Sequence, residues 1–190
     1  MNFETGLLVC STDFINANPI VVEFGIGDLA TLGRLLVATN LSDICGTGAE
    51  PKGILVSCTM PKSTTDEEFK KLASGIQFES RKWGVPVLGG DTKIGKSMAL
   101  CATVFGRSET TENLFLKYNA QPGDSIWVSG ELGAVGAAVL DISANGYDSM
   151  KNEWARIARA EPNLPLAKSR ELAARRIANG GTDISDGCGD

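Results

Sequence analysis

The sequence predicts an α+β fold, with a sheet backed by helices in residues 1–108 and the start of a second, α/β unit in residues 109–190. Three observations carry that expectation. Apolar periodicity alternates strand, helix, strand, helix, strand, strand through the first unit, the order of a helix-covered sheet. A polar stretch at 108–122, holding Lys117-Tyr118-Asn119-Ala120-Gln121-Pro122, interrupts the pattern and marks a boundary. Beyond it comes a strand, a glycine-rich turn and a helical run at 130–140.

Taken in order, residues 6–12 (Gly-Leu-Leu-Val-Cys-Ser-Thr) read as a strand with Asp13 at its end. Residues 16–27 carry Asn-Pro and glycines and read as a loop. Asp28 caps a helix through Leu29, Leu32, Leu36, Leu41 and Ile44, which Gly46 and Gly48 close. That helix is apolar around most of its circumference, so it should be buried on two sides. Asn40 and Asp43 interrupt it on one face. An aspartate near a helix C-terminus opposes the dipole, so a ligand or metal site is expected there, with a solvated helix end as the alternative.

Residues 52–60 form the next strand, and Thr65-Asp66-Glu67-Glu68 is a capping box opening a helix with Phe69, Leu72, Ile76 and Trp83 on one face. The apolar run at 85–88 then ends in Gly89-Gly90-Asp91-Thr92-Lys93. Gly90 would let backbone approach a ligand, Asp91 could hold a hard cation, and Thr92 and Lys93 could reach phosphate oxygens. An ordinary strand followed by a Gly-Asp turn is the alternative. Residues 97–107 complete the first unit as a strand.

In the second unit, 125–129 (Ser-Ile-Trp-Val-Ser) reads as a strand, and Gly130, Gly133 and Gly136 open a helix. The glycines match neither G-x-G-x-x-G nor a P-loop, so they predict a tight turn with close helix–sheet packing. Helices are expected at 149–161 and 166–179, with Arg156, Arg159, Arg170, Arg175 and Arg176 on solvated faces. A last short strand runs into Asp183-Ile184-Ser185-Asp186-Gly187. Two strands and two or three helices make a marginal unit, so the chain is expected to be part of a longer protein or to depend on a partner.

Composition narrows the chemistry. A net charge of -5 argues against nucleic acid as the main partner. No apolar run reaches the length of a membrane span, and no export signal is visible. The five cysteines (Cys10, Cys45, Cys58, Cys101, Cys188) form no C-x-x-C pair and lie mostly in apolar segments, which predicts free core thiols in a reducing, cytoplasmic setting. The chain has no histidine. Imidazole acid–base work and the usual zinc sites are therefore absent, leaving carboxylates, hydroxyls, cationic side chains, backbone and bound cations.

Asp13, Asp43, Asp91, Asp183 and Asp186 each follow an apolar run and stand beside Ser, Thr or Gly. If the strand ends converge, these carboxylates need a counter-charge. A hard cation with oxygen ligands fits, Mg²⁺ first because carboxylates and substrate phosphates commonly share it. That points to ATP-dependent phosphoryl chemistry; a purely structural arrangement of the acids is the alternative.

With these residues in place the sequence resembles the superfamily of aminoimidazole ribonucleotide (AIR) synthetase, which includes thiamine-monophosphate kinase, the hydrogenase maturation protein HypE and selenophosphate synthetase. The matching pieces are Ser11-Thr12-Asp13, Asn40-Leu41-Ser42-Asp43 with Gly48-Ala49-Glu50-Pro51, Gly89-Gly90-Asp91-Thr92, Ala120-Gln121-Pro122-Gly123-Asp124 and Asp183-Ile184-Ser185-Asp186-Gly187. The closest look is to the kinase. The resemblance implies an N-terminal mixed sheet that pairs with a second copy into a barrel-like homodimer, and a C-terminal α/β domain that completes an ATP site. It implies Mg²⁺ on Thr12, Asp13, Asp43, Asp91, Asp183 and Asp186, with Gly90, Asp91, Thr92, Lys117 and Ser185 at the nucleotide. Lys117 stands where the kinase usually has an arginine, keeping the charge without the bidentate fork.

The implied activity is phosphoryl transfer to a small phosphorylated metabolite. ATP-dependent dehydration or cyclisation of an amide, as in HypE or the synthetase, and a non-catalytic dimerising remnant are the alternatives. Three departures stand out. The chain starts past the family's glycine- and aspartate-rich first strand, its loop at 14–20 lacks the histidine usual for thiamine phosphate, and most of the C-terminal domain is missing.

Overall fold

A computed structural model describes residues 5–15, 27–130, 132–145 and 162–185. It is a four-stranded mixed sheet, order β1-β4-β2-β3, with two long helices on one face. The strands are β1 Leu7–Ile15, β2 Glu50–Pro61, β3 Val87–Gly95 and β4 Ala99–Ser108, and the helices α1 Leu29–Thr47 and α2 Asp66–Trp83. β4 runs antiparallel to both β1 and β2, whereas β3 runs parallel to β2. β1 and β3 are thus the edge strands.

The caps fall where the sequence places them. The Asp28 carboxylate accepts from the Thr31 amide at 3.1 Å, and Thr65 and Glu68 close a reciprocal box at the start of α2. Leu32, Leu36, Val37, Leu41 and Ile44 of α1 are fully buried, packed with Ile54, Leu100 and Val104 of the sheet and Leu72 of α2. The two helices approach closely because neither carries a side chain at the crossing. A Cβ on Gly75 would lie 1.9 Å from the Ala30 carbonyl oxygen, and one on Gly33 2.3 Å from that of Leu72. Beside this crossing Glu79, with no exposed surface, accepts from Arg34 Nε at 3.1 Å, Lys82 Nζ at 2.9 Å and Trp83 Nε1 at 2.8 Å. A buried carboxylate is tolerable only with such partners.

The other face of the sheet has no described element over it. Leu8 and Phe14 of β1 are 56% and 57% exposed there. This corrects the cysteine expectation. Cys10 is exposed and Cys45, Cys58 and Cys101 are partly so, all as free thiols; Cys188 lies outside the described residues. Alternation along β1 and β4 sends Cys10 and Cys101 to the uncovered face rather than the core.

Two strand ends also differ from expectation. β1 runs on to Ile15, so Asp13 pairs with Ala102 inside the strand, and β3 runs through both glycines, so Asp91 pairs with Ser57 in mid-strand. Residues 125–129 do not form a strand: Ile126 and Trp127 are 93% and 89% exposed, and no described strand lies alongside to take their backbone groups. Residues 181–185 are likewise not strand. The predicted loop at 16–26 and helix at 149–161 lie outside the described residues.

The second part contributes helix α3 Ala134–Asn145, helix α4 Leu166–Ala174 and two short 3₁₀ turns, Thr111–Asn113 and Lys117–Asn119. α4 is shorter than the 166–179 expected. It docks on α1, where Ser169 Oγ donates to the Cys45 carbonyl, and on the start of β2, where Arg170 pairs with Glu50 at 3.4 Å. Arg175 and Arg176 form surface pairs with Glu171 and Glu112, in line with solvated faces.

Candidate functional site

The acidic positions fall into two groups. The first surrounds the C-terminal half of α1. Pleating turns Ser11 and Asp13 of β1 toward this helix. Ser11 Oγ donates to Asp43 Oδ2 at 2.5 Å, and the Asp13 amide donates to Asn40 Oδ1 at 3.2 Å. One residue before Asp43, Ser42 Oγ donates to Asp183 Oδ2 at 2.8 Å. The segment carrying Asp183 can lie that close because Gly46 has no side chain: a Cβ there would sit 2.5 Å from the Asp183 nitrogen. Asp13, Asp43 and Asp183 thus border one stretch of helix, with Ser11 and Ser42 between them.

Lys117 reaches the same end of the molecule through backbone packing. The Phe115 amide donates to the Thr47 carbonyl at 2.9 Å, and Gly180 and Gly181 rest against Leu116 and Phe115. Ser185 follows Asp183 and is exposed. Asp186 lies outside the described residues.

The second group is on β3. Asp91 is 60% exposed in its side chain, accepts from the Thr92 amide at 2.9 Å and pairs with Lys93 at 3.4 Å. Alongside, α2 and the β2–β3 pair enclose an open groove of about 660 Å³. Its walls are Val56, Phe69, Leu72, Ile76 and Val87, with Gln77, Arg81 and Thr92 as polar groups, and the Asp91 backbone runs along its edge. The volume suits a small organic ligand. Gly90 has a packing role that the sequence did not signal: a Cβ there would lie 1.6 Å from the Val56 carbonyl oxygen.

Register separates the two groups within one chain. Asp91 pairs with Ser57, Ser57 with Cys101, and Cys101 with Phe14, so Asp91 shares the uncovered face with Phe14. Asp13, next to Phe14, points to the helix face. Three strand spacings put Asp91 about 14 Å from β1. Thr12 also departs from its neighbour: its hydroxyl lies on the uncovered face, donating to the Ala102 carbonyl at 2.8 Å and 3.0 Å from Thr103 Oγ1. Among the described residues no three acidic, histidine or cysteine side chains come together closely enough to hold a metal ion.

The α1 donor set is nonetheless chemically suited to Mg²⁺. It consists of carboxylate and hydroxyl oxygens, and Mg²⁺ usually takes one or two protein carboxylates while phosphates and waters fill the rest. Burial pushes the nearby Cys45 thiol up, keeping it protonated and out of that set. Glu50, at the start of β2, is held below the usual carboxylate range, chiefly by its hydrogen bond with Lys52. The hydroxyls of Ser11 and Ser42 and the groove walls on α2 were missed as site residues from sequence, although Ser11 and Ser42 stand inside the pieces Ser11-Thr12-Asp13 and Asn40-Leu41-Ser42-Asp43.

The family description "AIR synthase related protein, N-terminal domain" matches residues 2–108. The thiamine-monophosphate kinase of Methanocaldococcus jannaschii is 34% identical across 98% of this chain, which spans 59% of that relative's length. Among solved structures, AaThiL complexed with AMPPCP and TMP superposes with a TM-score of 0.81 at 19% identity, covering 97% of this chain and 58% of that one. HypE of E. coli superposes with a TM-score of 0.68 at 20% identity, covering 90% and 51%. These two show a shared fold.

Proposed function

This chain belongs to the AIR synthase-related family, and from that premise we propose that it binds Mg·ATP and serves phosphoryl transfer to a small phosphorylated metabolite, the activity for which its thiamine-monophosphate kinase relatives are named. The observation that carries the reading is the pair of adjacent helix residues Ser42 and Asp43, one holding Asp183 and the other held by Ser11. Carboxylates with hydroxyl oxygens between them suit an ion shared with a polyphosphate. One or two of Asp13, Asp43 and Asp183 would hold Mg²⁺ at a time, with phosphate and water as its other ligands and Asp186 beyond them. Bound there, the ion would neutralise charge on the transferring phosphoryl group. Lys117 would add a cation at the phosphates, and Ser185 a hydroxyl. The groove beside Gly90, Asp91 and Thr92 offers apolar walls for a nucleotide base and a polar rim for its phosphates.

The separation of Asp91 from the α1 group supports a homodimer. In this reading a second copy covers the exposed face bearing Leu8 and Phe14, and the β3 of one copy completes the site of the other. The N-terminal unit, 1–108, would supply that interface, and the unit from 109 onward would close the site.

Calorimetric titration with Mg·ATP tests both parts. Binding should be magnesium-dependent and lost in Asp43→Ala and in Asp91→Ala. An equimolar mixture of the two variants should regain binding, because a mixed dimer contains one intact site. No binding by the folded wild-type chain would reject the ATP reading. Binding that the mixture does not restore would reject the shared site.

A further inference from the structure

Asn40 is fully buried in α1, where Leu36, Val37, Leu41 and Ile44 around it are hydrocarbons. An amide in a helix interior has lower helix propensity than leucine and must have its polar atoms satisfied. Its Nδ2 donates to the Leu36 carbonyl at 2.8 Å, and its Oδ1 accepts the backbone amide of Asp13 at 3.2 Å. The second bond joins a helix to a residue 27 positions earlier, on an edge strand. Asp43 follows Asn40 by three residues and holds Ser11, two residues before Asp13. The same stretches of β1 and α1 are therefore clamped twice, once through a hydroxyl and a carboxylate and once through a buried amide.

We propose that Asn40 is a positioning residue for the metal site, fixing the Asp13 backbone to α1 and so setting the Asp13 carboxylate against that of Asp43. The inference rests on the Mg·ATP reading above. Leucine would fill this place with hydrocarbon but could not accept the Asp13 amide; the asparagine amide fixes where along the helix Asp13 sits. Groups that orient metal ligands without touching the metal typically change affinity about 10- to 100-fold when removed.

The test is Mn²⁺ binding in the presence of ATP, followed by the enhancement of water-proton relaxation above that of protein-free Mn·ATP. It compares the wild-type chain with Asn40→Leu, Asn40→Ser and Leu32→Ala. Serine can bond back to the Leu36 carbonyl and leaves the Asp13 amide without its partner, so it reads the clamp even if leucine does not fold. Leu32→Ala is a core deletion two turns away, lowering the melting temperature with no contact to the site. Both Asn40 variants should weaken Mn²⁺ at least about tenfold, while Leu32→Ala leaves affinity unchanged in its folded fraction. If wild type binds and the Asn40 variants bind as tightly, the positioning role is wrong and the ATP reading stands. If Leu32→Ala weakens binding equally, Asn40 acts only through stability and the inference is overturned. If wild type binds no Mn²⁺ with ATP, both readings fall.

Discussion

The two halves of the candidate site are built by different means. Around α1 the acids are tied in: Asp43 to Ser11, Asp183 to Ser42, and the Asp13 backbone to a buried asparagine. On β3 the acid stands mostly in water, with only local partners one and two residues away. The first half is fixed by the core that surrounds it. The second is fixed by backbone pairing at a sheet edge, and its side chains remain open to a ligand or a second copy. In the proposed site, the folded state thus prepares one half and presents the other.

The strongest test of that contrast is Gly90→Ala. The new methyl would collide with the Val56 carbonyl oxygen, which is backbone and cannot turn aside. β3 would have to leave β2 locally, and we expect a loss of about 3–5 kcal/mol, in the range that marks a structural clash. Urea denaturation measures it. A loss below about 1 kcal/mol would mean that β3 can shift freely and that the glycine is not needed for pairing.

Next in size is the joint between the halves. Glu79 ties α1, through Arg34, to α2, which walls the groove. Removing one partner of a buried pair costs about 3–5 kcal/mol where the other charge stays buried. Here Arg34 and Lys82 are 22% and 35% exposed and can turn toward water. Glu79→Ala should therefore cost less, about 2–3 kcal/mol, read as a shift in the urea midpoint. Glu79→Gln should keep part of the network and fall between wild type and Ala.

The elements of the first unit were largely legible, because caps and periodicity act locally. Asp28, Gly48 and the Thr65/Glu68 box delimit α1 and the start of α2 in sequence and in structure alike. The face of each strand residue was less legible, since it depends on register. A strand that continues through Asp13 instead of stopping before it sends Thr12 and Asp13 to opposite sides. Gly89-Gly90 looked like a strand end because glycine is uncommon in strands, yet Gly90 serves close backbone packing inside β3. Residues 125–129 have strand composition but no described neighbour to pair with, and pairing is a property of the sheet rather than of the segment.

A smaller effect separates the halves directly. Asp43→Ala removes the acceptor of the Ser11 hydroxyl and should destabilise by about 1 kcal/mol, a typical net hydrogen bond. Asp91→Ala removes a mostly exposed carboxylate and should fall within about 0.5 kcal/mol of wild type. Thermal unfolding without ligand checks the pair. Equal losses would erase the distinction between a tied half and an open one.

The smallest expected effect lies where α4 meets the start of β2. Glu50 pairs with Lys52 at 2.6 Å and with Arg170 of α4 at 3.4 Å. Its carboxyl is held below the usual value of 4.5, first by the Lys52 hydrogen bond and then, against some desolvation, by the charges of Arg170, Lys52 and Arg107. A depressed folded value means that the unfolded chain binds more protons through this interval. The stabilisation is therefore complete above about pH 4.5 and fades as pH falls through the folded value. All three partners are partly solvated, so screening limits the contribution to a few tenths of a kcal/mol. Glu50→Gln should lower the urea midpoint slightly at about pH 6, and the difference should shrink as the pH falls and Glu50 takes up its proton. A difference that does not shrink would assign the effect to packing of α4 rather than to charge.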